Sequence, residues 1–319
     1  MAREIEQSRP IPVAQPAHRA RGQRRLRAGL PWLHWSTGYF YLLPALIVYG
    51  VFALLPMADT LRASFTQWDG LNPPVYVGLD NYASMLQDPA FLTALAHNLY
   101  FIIFSSVLPI LIALVVTSLL TRRRLPGMTF FQTALFLPQI IPITVVGVVW
   151  TWILNPAFGP VAEILRAFGL SSRPWLGDFD LARPVIGLIV TWMTYGLCLV
   201  LFLAGVQRID TDLFDAAEID GANEFRQFMV VTLPGIRNEL GVALVITMIE
   251  ALRLFGLIFV TTQGGPGKET YVIAFQLYQV AFIETQVGYG AAIAVVLTLL
   301  IVGLSSSVLW LHRRVMGDW

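Results

Sequence analysis

Long stretches of this chain carry no formal charge. No Asp, Glu, Lys or Arg occurs between Arg27 and Asp59, Asp88 and Arg122, Arg124 and Glu163, Arg183 and Arg208, or Glu284 and Arg313. These five windows hold 24 to 38 residues, each longer than the ~20 a helix needs to cross a bilayer. A sixth apolar stretch, 240–262, is interrupted by Glu250 and Arg253. The pattern predicts an all-α polytopic membrane protein with six transmembrane helices, near 38–58, 97–120, 132–154, 185–207, 240–262 and 289–311. Pro44, Pro109, Pro138 and Pro142 fall inside these spans. They are expected to be tolerated as kinks, because neighbouring helices in a membrane satisfy the carbonyls a proline frees.

Composition agrees with the pattern. Hydrophobic residues make up 56% of the chain and charged residues 13%, against about 25% charged in soluble domains. Mean hydropathy is +0.66. An ordinary soluble enzyme, a disordered chain and a nucleic-acid binder are thereby excluded. The net charge of +1 matters less than where the charges sit. Arginines cluster in the N-terminal arm (Arg3 to Arg27), at Arg122 to Arg124, at Arg208, Arg226 and Arg237, and at Arg313 and Arg314. The other three connections share only Arg62, Arg166, Arg173, Arg183 and Lys268. The positive-inside rule then puts both termini in the cytoplasm. Residues 1–36 read as a basic cytoplasmic tail lying against anionic lipid. They do not read as a cleavable signal peptide, since the apolar run starts too late and is too long. Residues 37–319 form the six-span transmembrane domain, with a cytoplasmic loop at 208–237.

Catalytic signatures are missing. The sequence has no H-E-x-x-H, no G-x-S-x-G and no cysteine–histidine cluster. Cys198 is the sole cysteine, and the four histidines are scattered. The stretch from Gly264 to Thr270 fails as a phosphate loop, because Thr262 stands where the first glycine belongs and Glu269 follows Lys268. No metal or cofactor is expected on this chain, and any energised work requires another chain to hydrolyse the nucleotide.

The 208–237 loop carries the most chemistry. Asp210 or Asp212 can N-cap a short helix through Ala216 and Ala217. Gly221 can end it with a positive φ. Phe225, Phe228 and Met229 then fall at helical spacing, and Pro234 closes the segment before the fifth span. On residues alone this is either a docking element or a helix pair lying on the membrane.

Asp215-Ala216-Ala217, Asp220-Gly221-Ala222, Phe228 and Leu233-Pro234 resemble the EAA loop of binding-protein-dependent ABC importers. The resemblance favours docking: it implies a coupling helix inserted into an ATPase, with Asp215, Ala216, Ala217, Asp220, Gly221, Ala222, Phe225, Phe228 and Pro234 at that contact. Asp215 departs from the family's Glu but keeps the charge. Three further segments, Val77 to Tyr82 with Asp88 to Phe91, Leu203 to Gln207, and Thr262 to Gly267 with Tyr278 to Phe282, resemble carbohydrate-importer permeases of the maltose and glycerol-3-phosphate type. The resemblance implies a type I ABC importer permease fold in a bacterial inner membrane. It also implies a second permease chain, two cytoplasmic ATPase subunits that bind the ATP and Mg, and an external solute-binding protein.

Candidates for the solute path are fewer. Glu250 and Arg253 are three apart, so they share a helix face. A lone charge at mid-bilayer costs ~2.5–3.5 kcal/mol and usually faces a partner or a polar cavity. The pair either lines a path or forms a structural ion pair. Trp192 and Tyr195, one turn apart, either stack on sugar rings or belong to the interfacial aromatic belt. A permease for polyamines or another non-carbohydrate solute is the alternative function. An ATPase-independent secondary transporter is a further one, though the sequence shows no inverted repeat. A reporter fused after Trp319 is expected to be active only as a cytoplasmic fusion, and one at Lys268 only as an external fusion. A cytoplasmic signal at Lys268 would overturn the span count.

Overall fold

The computed structural model describes residues 35–120 and 127–316. The basic tail at 1–34 and the arginines at 122–124 therefore lie outside the described residues. Contacts divide the chain into 1–57 and 58–319. The described part of the first unit is helical from Trp35, with Pro44 inside the helix. The second unit holds the packed core.

Among the described residues, five helices are long and apolar enough to span a membrane: Tyr39–Ala63 (span 1), Pro89–Leu120 (span 2), Ala182–Val206 (span 4), Arg237–Thr261 (span 5) and Val287–Arg314 (span 6). Phe130–Ile140 and Ile143–Ile153 form a pair bent by 96°. Taken as one broken span, this pair is span 3 and brings the count to the expected six. Span 2 begins at Pro89, earlier than hydropathy placed it. Asp88 N-caps it, its carboxylate accepting from the Ala90 amide at 2.8 Å, and Pro89 suits the first helical turn.

The expectation that Pro142 would only kink a continuous span is corrected by the structure. Ile141 is extended, with φ −74° and ψ 130°, and Pro142 has φ −55° and ψ 135°. A proline pushes the residue before it out of the α region, and here the helix stops. Pro44 and Pro138 stay inside α-helices, and three further prolines follow π turns. Among the described residues, π-helical turns at Gly50–Leu54, Ile103–Val107 and Phe228–Thr232 each end two residues before a proline, namely Pro56, Pro109 and Pro234. A proline ring clashes with the carbonyl four residues back. In each case that carbonyl lies inside the π turn, where the looser winding accommodates it.

Connections alternate between the two ends of the bundle. At one end, β1 (Thr66–Gln67) and β2 (Val75–Tyr76) pair antiparallel. Asn81 ties this hairpin down by donating to the carbonyls of Ser64 and Thr66, both at 2.9 Å. Span 6 starts against it: the Gly288 amide donates to the Trp68 carbonyl at 3.0 Å. A Cβ on Gly288 would sit 1.9 Å from the Thr66 carbonyl oxygen, so only glycine permits this approach. The segment 262–286 lies at the same end. Arg183, at the start of span 4, pairs with Glu269 and lies 5.5 Å over the Tyr100 ring.

The buried polar face of span 2 organises the interior. Asn98 is fully buried. Its amide nitrogen donates to the Ala251 carbonyl at 3.0 Å, and its oxygen accepts from the Ile273 amide at 2.9 Å. His97 Nδ1 lies 2.9 Å from the Tyr271 carbonyl, and the hydroxyls of Ser106 and Thr247 meet at 2.6 Å. Phe101, Ile186, Ile189, Leu252, Leu257, Ile258 and Ile273 fill the space around these bonds. Replacing Asn98 with Leu leaves the buried Ile273 amide without a partner, costing about 1–3 kcal/mol, and leaves the Ala251 carbonyl only the Leu254 amide at 3.4 Å. The purified Asn98→Leu protein is expected to unfold several degrees below wild type in a thermal scan. An unchanged midpoint would show that these bonds do not hold the interior.

Candidate functional site

Span 5 is interrupted where the sequence placed its charges. The helix from Arg237 ends at Leu252, Arg253 has φ −94° and ψ 10°, and Phe255 has φ −131° and ψ −58°. A second short helix runs from Gly256 to Thr261. It packs on the Ile143–Ile153 arm of span 3, so the two breaks lie side by side. Non-helical backbone within a membrane is tolerated only where protein or a water-filled cavity satisfies it, and the Ala251 carbonyl is taken by Asn98.

A cavity of about 330 Å³ opens where the breaks meet. Glu250 and Arg253 line it with Ser105, Gln139, Thr194 and Phe255, among others. Both charged side chains are exposed. Neither closes an ion pair or a side-chain hydrogen bond among the described residues, so the structural ion pair is not formed. Arg253 occupies the helix end rather than its face. A cation there is favoured by the partial negative charge of the C-terminal carbonyls.

The other two sequence candidates lie elsewhere. Trp192 packs edge-on against Trp150, with ring centroids 5.7 Å apart, in an apolar crevice with Trp175, Leu188 and Ile189. Tyr195 is half-buried and does not line the cavity. Span 4 turns Met193 and Thr194 toward it instead. Sequence reasoning missed Ser105, Gln139, Thr194 and Phe255. Gln139, a polar residue between Pro138 and Pro142 in the longest uncharged window, was the available signal.

The 208–237 loop lies at the other end of spans 4 and 5. Asp210 N-caps the helix Thr211–Ile219, its carboxylate accepting from the Asp212 amide at 3.1 Å. The helix closes with the Ala222 amide donating to the Ala217 carbonyl and the Gly221 amide to that of Glu218, both at 2.9 Å. This is the Schellman pattern. Gly221 has φ +73°, and nothing lies within 4 Å of where its Cβ would be. Asn223 then caps Glu224–Gln227 by accepting from the Arg226 amide at 2.9 Å.

Asp215, Ala216 and Asp220 are exposed, while Ala217 and Ala222 are half-buried. Phe225 is 72% exposed, but Phe228 is half-buried. Phe225 and Met229 are exposed while Phe228, where the helix passes into a π turn, is half-buried, so the three are not equally presented. Ile219, 87% exposed beside the bend, joins Phe225 as the outward apolar group that sequence reasoning missed. Pro234 lies exposed in the helical turn Leu233–Gly235. Arg208 and Glu239 pair across the base of the loop.

Residues 110–317 match the family described as binding-protein-dependent transport system inner membrane component. This chain belongs to that family. A probable ABC transporter permease protein, YurN of Bacillus subtilis, is 34% identical over 84% of this permease and 92% of its own length. The diacetylchitobiose uptake system permease protein NgcF of Streptomyces coelicolor is 30% identical over 96% and 92%. The arabinooligosaccharides transport system permease protein AraP of Bacillus subtilis is 30% identical over 89% and 90%. In fold, the permease is similar to a chain of a bacterial ABC transporter that imports the acidic polysaccharide alginate. The TM-score is 0.76 at 24% identity, covering 88% of this chain and 96% of that one.

The cavity geometry separates the sequence candidates experimentally. Glu250→Gln and Arg253→Gln are each expected to lower uptake by about tenfold or more while the protein still assembles, as the loss of charge-assisted hydrogen bonds would. Trp192→Phe is expected to retain uptake. Equal losses in all three would show that the cavity is not special.

Proposed function

We propose that this chain is the membrane-spanning subunit of an ATP-driven importer and moves a sugar or sugar-derived solute across a bacterial inner membrane. The observation that carries the reading is the polar cavity at the two broken spans, in a chain of this family. Half-helices meeting at mid-membrane are a recurrent way to bind solute around which a transporter alternates its access. The names of NgcF and AraP point to oligosaccharides. Other relatives are named for sn-glycerol-3-phosphate and sulfoquinovosyl glycerol, so related permeases carry both neutral and ionic solutes.

The chain works with a second permease subunit, an external solute-binding protein and two ATPase subunits that hold the ATP and Mg. Both termini and the 208–237 loop face the cytoplasm. Asp215, Ala216, Ala217, Asp220, Gly221, Ala222, Phe225, Phe228 and Pro234 form the coupling element, with Phe225 as its apolar anchor; buried aromatics commonly anchor interfaces. A different state is favoured by nucleotide than by solute, which is what coupling requires.

Gly221→Val tests the coupling element. Valine at this positive φ strains the bend by ~1 kcal/mol or more, but the site is open within this chain. Membrane insertion is therefore expected to survive, while solute-stimulated ATP hydrolysis in reconstituted complexes falls at least tenfold. Wild-type stimulation, with the ATPase still retained in a pull-down, would reduce the loop to a surface helix pair.

A further inference from the structure

We infer that the solute accepted by the cavity between the broken spans is an uncharged polyhydroxylated one, and that Glu250 and Arg253 together select it against anionic glycans. This rests on the reading of that cavity as the transport path. Glu250 and Arg253 present one charge of each sign, so the cavity's formal charge is zero.

Glu250 and Arg253 feel each other's charge but close no hydrogen bond among the described residues, so the carboxylate can accept from two hydroxyls while the guanidinium donates to others. A sugar hydroxyl both donates and accepts, and adjacent hydroxyls can use the two groups together. The half-buried Gln139 adds an amide that also donates and accepts. Phe255 contributes a ring edge or face. A uronate or phosphate finds Arg253 but meets the like charge of the Glu250 carboxylate one turn away, which repels it.

The same sign rule holds where the 64–88 and 262–286 segments meet. A cavity of about 750 Å³ there is lined by Asp69, Asp80, Asp88 and Glu284 against a single cation, Lys268. Amide hydrogen bonds from Leu71 and Asn72 hold the Asp69 carboxyl down to about 2, so it stays ionised. A negative surface depletes anionic solutes and leaves neutral ones unaffected.

The test is saturation-transfer NMR on the complete purified complex in lipid nanodiscs, without the solute-binding protein, so that the selectivity read is the permease's own. The probes are neutral oligosaccharides of glucose, galactose, arabinose and N-acetylglucosamine, matched with hexuronate oligosaccharides and glycerol 3-phosphate. At least one neutral probe is expected to bind wild type at least tenfold more tightly than every anion. Glu250→Gln is expected to weaken that neutral probe about tenfold and to raise binding of the uronates. An anion binding wild type as tightly as the best neutral probe, or no neutral probe binding at all, would overturn the inference. If Glu250→Gln and Arg253→Gln both bind every probe as wild type does, the cavity is not the path, and that separate failure removes the basis of the inference.

Discussion

One buried amide makes the interior of this permease possible. A helix inside a membrane cannot stop without stranding carbonyls and amides, and no bulk water reaches them. Span 5 nevertheless stops at Leu252. Asn98 on span 2 takes up the Ala251 carbonyl with one end of its side chain and the Ile273 amide with the other. A single residue thus ties the break to the helix that follows the 262–272 segment. With the break held, Glu250 and Arg253 sit at a helix end facing a cavity instead of lipid.

The second break depends on a different device. Pro142 ends one arm of span 3 and starts the next at a right angle, with no side-chain cap at the new N-terminus. Its second arm lies against Gly256–Thr261 of span 5. The two interruptions are therefore packed together, and residues from both line the cavity. Span 5 also joins this cavity to the far end of the molecule. Its first helix runs unbroken from Arg237, beside the 208–237 loop, to Leu252 at the cavity. The Arg208–Glu239 pair braces its base to the end of span 4. The loop and Glu250 thus lie at opposite ends of one unbroken helix.

Much of this was legible in the sequence. Charge-free windows located the spans because the cost of burying a charge in lipid is large and local. The Asp210 cap and the left-handed Gly221 were readable because caps and bends depend on a few neighbouring residues. What could not be read was tertiary. Prolines 44 and 142 are alike in sequence context, yet one stays within a helix and the other ends one. Trp192 and Thr194 are two residues apart on one helix, and only its rotation against spans 2 and 3 decides which faces the cavity. Asn98, polar within an apolar run, signals importance without naming its partners 153 and 175 residues away.

Solvent access along span 4 tests the paired breaks most directly. The chain has one cysteine, Cys198, which is buried, so a Cys198→Ala background gives a clean start. Single cysteines at Leu188, Met193 and Leu199 would be treated with a membrane-impermeant thiol reagent in the assembled complex. Met193→Cys, half-buried in the cavity wall, should label and be protected by transported solute, while Leu188→Cys and the buried Leu199→Cys stay unlabelled. An inert Met193→Cys alongside a labelled Leu188→Cys would contradict a polar cavity between spans 3 and 5.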